Sequence, residues 1–105
     1  MNDVNDICVR LHKVHFLSCG DEKAMFAWIK SIKSIASVTG TGQYIILTVS
    51  LRRLNDKDLQ ELIGLLYRYR KPLSLLRPLL KHKDFGNWLR NKEAFWFKRL
   101  GAFAK

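Results

Sequence analysis

Four side chains able to bind a metal or act as nucleophiles lie close together near the start of the chain: Cys8, His12, His15 and Cys19. Thiolates and imidazoles are the usual ligands of zinc, and a cysteine beside a histidine is the reacting pair of thiol enzymes. The spacing speaks against both. On one strand Cys8 and His12 point to one face and His15 to the other, and neither cysteine has a Cys-x-x-Cys partner. Only Cys19, just ahead of a helical pattern, is placed where a positive helix end could favour a thiolate. Ordinary reduced cysteines and edge histidines are the preferred reading, with no metal and no cofactor.

Acid–base chemistry fares no better. Of nine carboxylates, Asp21, Glu22, Asp56, Asp58 and Asp84 stand at helix starts, and Asp3 and Asp6 lie in the polar N-terminus. Few remain for a catalytic pair. Gly40-Thr41-Gly42 is too short for a phosphate loop and leads into a strand, not into a helix whose N-terminus could hold an anion. It reads as a turn, and the chain is not expected to be an enzyme.

Binding chemistry is better represented. Basic and aromatic side chains interleave from Tyr67 onward: Arg68, Tyr69, Arg70, Lys71, Arg77, Lys81, His82, Lys83, Trp88, Arg90, Lys92, Lys98 and Arg99. Such a set can neutralise phosphates and stack on bases, or meet an acidic protein face. Trp88, Phe95, Trp96 and Phe97 are expected mainly in the core, with the cations solvating the outer faces. Trp96 and Phe97 cannot both face inward alongside Phe95, so one of them is left for a partner. The candidate contact residues are therefore Arg68, Arg70, Lys71, Arg77, Lys81, Lys83, Trp96 and Phe97. A membrane role is not expected, because the cations surround the helices instead of forming one polar stripe.

The elements that must position these groups follow from periodicity. Ile7, Val9 and Leu11 alternate as a half-buried strand over 7–16, with a change of phase near His12-Lys13 that predicts a bulge or break. Met25, Trp28, Ile29 and Ile32 predict a helix from Asp21 to Lys33. Two β-branched segments, 35–39 and 43–51, joined by Gly40-Thr41-Gly42, predict a hairpin. Asn55 is placed to cap a second helix with the apolar face Leu59, Leu62, Ile63, Leu66 and Tyr69, ended by Pro72. Short helical turns, divided by Pro78, are expected over 72–83. A last, aromatic helix is expected to begin near Asp84 or Asn91 and to stop before Gly101.

Strand, helix, hairpin and then helices only make an α+β fold: a small antiparallel sheet with a helical C-terminal half packed on one face. At 105 residues the chain is expected to be a single domain, 1–105. No apolar run approaches the roughly 20 residues of a membrane span, and the acidic start is unlike a secretory signal, so a cytoplasmic protein is expected. The net charge of +10 is uneven. Residues 51–105 hold fourteen basic and five acidic side chains, so nearly the whole surplus lies in the second half, where it suits an anionic partner.

Three segments, Leu54-Asn55-Asp56-Lys57-Asp58-Leu59-Gln60-Glu61-Leu62, Leu66-Tyr67-Arg68-Tyr69 and Asn91-Lys92-Glu93-Ala94-Phe95-Trp96-Phe97-Lys98, give the stretch from Ile45 through Gly101 a resemblance. It resembles the small bacterial immunity proteins of contact-dependent growth inhibition, a toxin–immunity system. The resemblance implies a protein that binds one cognate toxin domain, often a nuclease, and blocks its active site or its access to substrate. Inhibitors of nucleases are often acidic, whereas this chain is basic. A toxin with an acidic face, or binding away from the nucleic-acid channel, is then implied. The alternative is a small basic module that binds nucleic acid.

Overall fold

The computed structural model describes residues 6–82, 85, 87–91 and 93–96. The fold is α+β, with the element order β1 (Asp6–His12), α1 (Cys19–Ser31), β2 (Ile35–Thr41), β3 (Tyr44–Ser50), α2 (Asp56–Arg68), a 3₁₀ turn (Leu73–Leu76), α3 (Arg77–His82) and a second 3₁₀ turn (Asn87–Arg90). The chain divides into two compact units, Met1–Leu54 and Asn55–Lys105.

In the first unit a three-stranded antiparallel sheet has the order β1-β3-β2. β3 is central and alternates cleanly, with Ile45, Leu47 and Val49 buried between the more exposed Tyr44, Ile46, Thr48 and Ser50. Val9 and Leu11 of β1 lie beside Leu47 and Ile45 and extend that apolar face. The opposite face carries Cys8, Arg10 and His12 beside Thr48, Ile46 and Tyr44. β1 stops at His12 because Lys13 turns left-handed (φ 51°), and its N–H donates to the Gln43 carbonyl at 2.7 Å. The expected break at His12-Lys13 is there, but Val14 and Phe16 lie beyond the strand.

Helix α1 begins two residues before Asp21. Ser18 caps it by accepting the Asp21 N–H at 3.2 Å, and the Asp21 carboxylate accepts the Leu17 N–H at 2.9 Å. Met25, Ile29 and Ile32 are buried at helical spacing, and the helix ends at Ser31. The hairpin turns through Gly42-Gln43. Gly42 alone has positive φ (56°), the signature of a type II′ turn with glycine in its first central position.

In the second unit Asn55 caps α2, accepting the Asp58 N–H at 2.8 Å, while Asp56 and Asp58 oppose the positive end of the helix dipole. Leu59, Leu62, Ile63, Leu65 and Leu66 are buried, a wider arc than the predicted stripe because Leu65 joins it. Pro72 does not end this helix. A Schellman turn closes it first, with Arg70 N–H donating to the Tyr67 carbonyl at 3.1 Å and Lys71 N–H to the Leu66 carbonyl at 2.8 Å. Leu73, Leu76 and Leu79 are buried along the two short turns that follow, and Pro78 sits in the first turn of α3, where its missing N–H removes no helical bond.

The expected aromatic helix is corrected. Over residues 87–91 and 93–96 the chain makes a 3₁₀ turn and further turns, not an α-helix. Asn91 is the physical reason: its side-chain oxygen accepts the Glu93 N–H at 3.0 Å and its carbonyl the Ala94 N–H at 3.1 Å. These local bonds hold the backbone in turns in place of the i to i−4 ladder. The part of the expected helix beyond Trp96 lies outside the described residues.

Candidate partner-binding surface

The surface is built from the end of α2 outward. Tyr67 and Arg68 occupy the last turn of α2, both exposed. The Schellman turn then presents Arg70 from a left-handed backbone (φ 58°), exposed, with the half-buried Lys71 next to it. Few non-glycine residues adopt that conformation, so the turn fixes where Arg70 leaves the chain. On α3 the exposed Arg77 and Lys81 are four residues apart and share one face of the helix.

Aromatic contacts bind the end of α2 to the 93–96 turn. The Tyr67 and Phe95 rings are tilted with centroids 4.5 Å apart. Phe95 meets Trp96 edge to face at 5.1 Å, and Trp96 meets Trp88 in the same manner at 5.6 Å. The Trp96 indole N–H donates to the Leu89 carbonyl at 3.0 Å, which fixes the middle of the ladder. Trp88, by contrast, has a buried indole N–H with no hydrogen-bond partner. Phe85 and Leu89 are buried nearby in sequence.

The exposed members of this ladder differ from those expected. Phe95, expected mainly in the core, is 47% exposed, and Tyr67 is 42% exposed. Trp96 is half-buried and hydrogen-bonded, so it acts as a support for Phe95 more than as a protruding contact. Lys83 and Phe97, also expected at the surface, lie outside the described residues. Arg68 and Arg70 share the end of α2 with the exposed Tyr67, so the structure places cations and aromatics on one local segment. The spacing requires that one of the three consecutive aromatics face outward but does not say which, so nothing in the sequence marks Phe95 as the exposed one.

Among the described residues no group of three or more His, Cys, Asp and Glu side chains could hold a metal. Cys8 and Cys19 are exposed and unbridged, and Cys8 Sγ lies 4.0 Å from Thr48 Oγ1. Among the described residues, no helix is long and apolar enough to cross a membrane. Compared with known proteins, the chain matches no family model, no curated protein and no solved structure.

Proposed function

We propose that this protein is an immunity protein that binds a cognate bacterial toxin domain in the cytoplasm and neutralises it by protein–protein contact. The observation that carries the reading is the exposed Tyr67–Phe95 pair beside Arg68 and Arg70. Tyrosine, other aromatics and arginine are the residue types that dominate interface hot spots, where rigid rings exclude water and planar guanidinium groups bind carboxylates in pairs. The resemblance carried by the segments at 54–62, 66–69 and 91–98 supports a toxin as the partner. The positive surplus of the second half fits a toxin with an acidic docking face and speeds encounter with it.

Co-purification with the product of the neighbouring gene, and protection of cells that express that product, test the reading. Protection lost on Tyr67→Ala with Phe95→Ala, in a protein that still folds, is the expected result. The alternative, a nucleic-acid-binding module, rests on the same cations and aromatics. Binding of unrelated nucleic acid at physiological salt, without protection, would replace the immunity reading with it.

A further inference from the structure

The two edges of the sheet differ in how they are guarded. β1 carries Asp6, Arg10 and His12, charged or polar side chains of the kind that discourage pairing with a stranger. β2, Ile35-Ala36-Ser37-Val38-Thr39-Gly40-Thr41, has seven residues with no charge and no proline. β2 is an edge of the sheet, and its Ala36, Ser37, Thr39, Gly40 and Thr41 are all exposed. Its only irregularity is the bulge between Ile35 and Ser37, which leaves 37–41 as a regular run.

The register says which backbone groups face outward. Thr41 pairs with Tyr44 across the two-residue turn, so these two exchange hydrogen bonds, as do Thr39 and Ile46. Val38 and Gly40, alternating with them, turn their N–H and C=O groups away from β3. None of the backbone hydrogen bonds outside the helices and the ladder involves residues 36–41 among the described residues.

A second observation lies beside Gly40. A Cβ added there would meet no atom within 4 Å. Gly40 borders an open cleft of about 440 Å³ with Phe16, Phe26 and Ile45 as apolar walls and Lys13, His15 and Glu22 among its polar ones. In an antiparallel pair, directly opposed residues put their side chains on the same face, about 4.5–5.5 Å apart. A ring on an added strand opposite Gly40 therefore reaches this cleft, as aromatic side chains do when they cover a glycine on a neighbouring strand.

We infer that the β2 edge accepts an extended segment of an acidic protein partner, whose backbone pairs with Val38 and Gly40 and whose aromatic side chain opposite Gly40 fills the cleft. The inference rests on the protein-binding reading above, though not on the partner being a toxin. Charge selects the occupant. The charge acts at long range and not on β2 itself: each copy of this chain carries +10, nearly all of it in residues 51–105, so two copies repel on approach whereas an acidic partner is attracted.

The test is a titration of the full chain, followed through its backbone amide resonances. The probe is a short synthetic peptide in which threonine alternates with valine, one phenylalanine stands at the centre and glutamates close both ends. The Val38 and Gly40 amides are expected to shift and to gain protection from exchange. Exchanging the peptide's phenylalanine for alanine should weaken binding roughly tenfold, the scale of burying one aromatic ring. Gly40→Pro removes one outward N–H without touching the bonds to β3 and should abolish binding. Gly40→Leu keeps that N–H but fills the cleft, and should lower affinity for the phenylalanine peptide to that of the alanine peptide. No shift at Val38 and Gly40 with millimolar peptide, or full binding by a folded Gly40→Pro variant, would overturn the inference. Shifts along β2 that depend on protein concentration alone would overturn it too, by assigning the edge to a second copy. The peptide reads only β2, and the protection assay reads Tyr67 and Phe95, so either reading can fail alone.

Discussion

The Lys71 amide donates to the Leu66 carbonyl across 2.8 Å, and this bond closes α2 around Arg70, which is held at φ 58°. Glycine is the usual residue at that position, because a Cβ in the left-handed region costs roughly 1–2 kcal/mol. Arg70→Gly relieves that cost but adds freedom to the unfolded chain, which offsets about half of it. A net gain of about 0.5–1 kcal/mol is expected, read as a higher urea midpoint at constant slope. Arg70→Ala keeps the Cβ and should gain nothing. Equal effects of the two variants would trace the change to the lost charge and not to the backbone.

The aromatic ladder separates support from contact. Trp96→Phe removes the hydrogen bond to Leu89 and leaves that carbonyl without its indole donor, a loss of about 1–2 kcal/mol in folding stability. Phe95→Ala trims a ring that is about half exposed, so it should cost less in stability. Its larger effect is expected on the partner complex, with dissociation at least about tenfold faster, the size of a modest hot spot. Denaturant titration and dissociation kinetics on the same two proteins check the division. A Phe95→Ala variant that unfolds as readily as Trp96→Phe would place Phe95 in the core after all.

How far the sequence was legible follows from which signals are local. Asn55 as a cap and the leucines of α2 are local, and α2 forms where they place it. The phase change at His12-Lys13 is local too, and β1 ends there. The start of α1 is less legible, because the acidic pair Asp21-Glu22 itself suits a first turn, while the actual cap is Ser18, three residues before Asp21. The Schellman turn was hidden because an arginine stands where glycine would have announced it. The aromatic segment after Asp84 suits a helix by composition, yet Asn91 has an alternative use for its side chain, which holds a turn. Which of Phe95 and Trp96 faces water depends on Tyr67 and Leu89, far off in the chain or reached only through tertiary packing.

The cap of α2 can be tested directly. Asn55→Ala leaves the Asp58 N–H without its acceptor at a helix start, and a loss of about 1 kcal/mol is expected. Hydrogen exchange at the Asp58 amide should quicken, while Asn55→Asp, which keeps an oxygen acceptor, should preserve protection. An unprotected Asp58 amide in the wild-type protein would show that the cap is not formed.

Phosphate binding and acidic-protein binding draw on the same lysines and arginines, and they differ in their response to salt. Six phosphate contacts would make affinity for unrelated nucleic acids fall by roughly 10³-fold between 50 and 200 mM salt. A protein complex anchored by buried rings should lose association rate as salt rises while its dissociation rate barely changes, because rim charges steer encounter and anchors hold the complex. Reversing Arg68, Arg70 and Lys71 to Glu is therefore expected to slow association with an acidic-faced toxin, by roughly tenfold or more at low salt and by much less at high salt. Dissociation should stay within about twofold, in contrast to Phe95→Ala, which should change dissociation and leave association alone. Stopped-flow association and surface-bound dissociation measured across a salt series resolve the two. If charge reversal instead speeds dissociation as strongly as it slows association, these cations are buried anchors of the complex and not its rim.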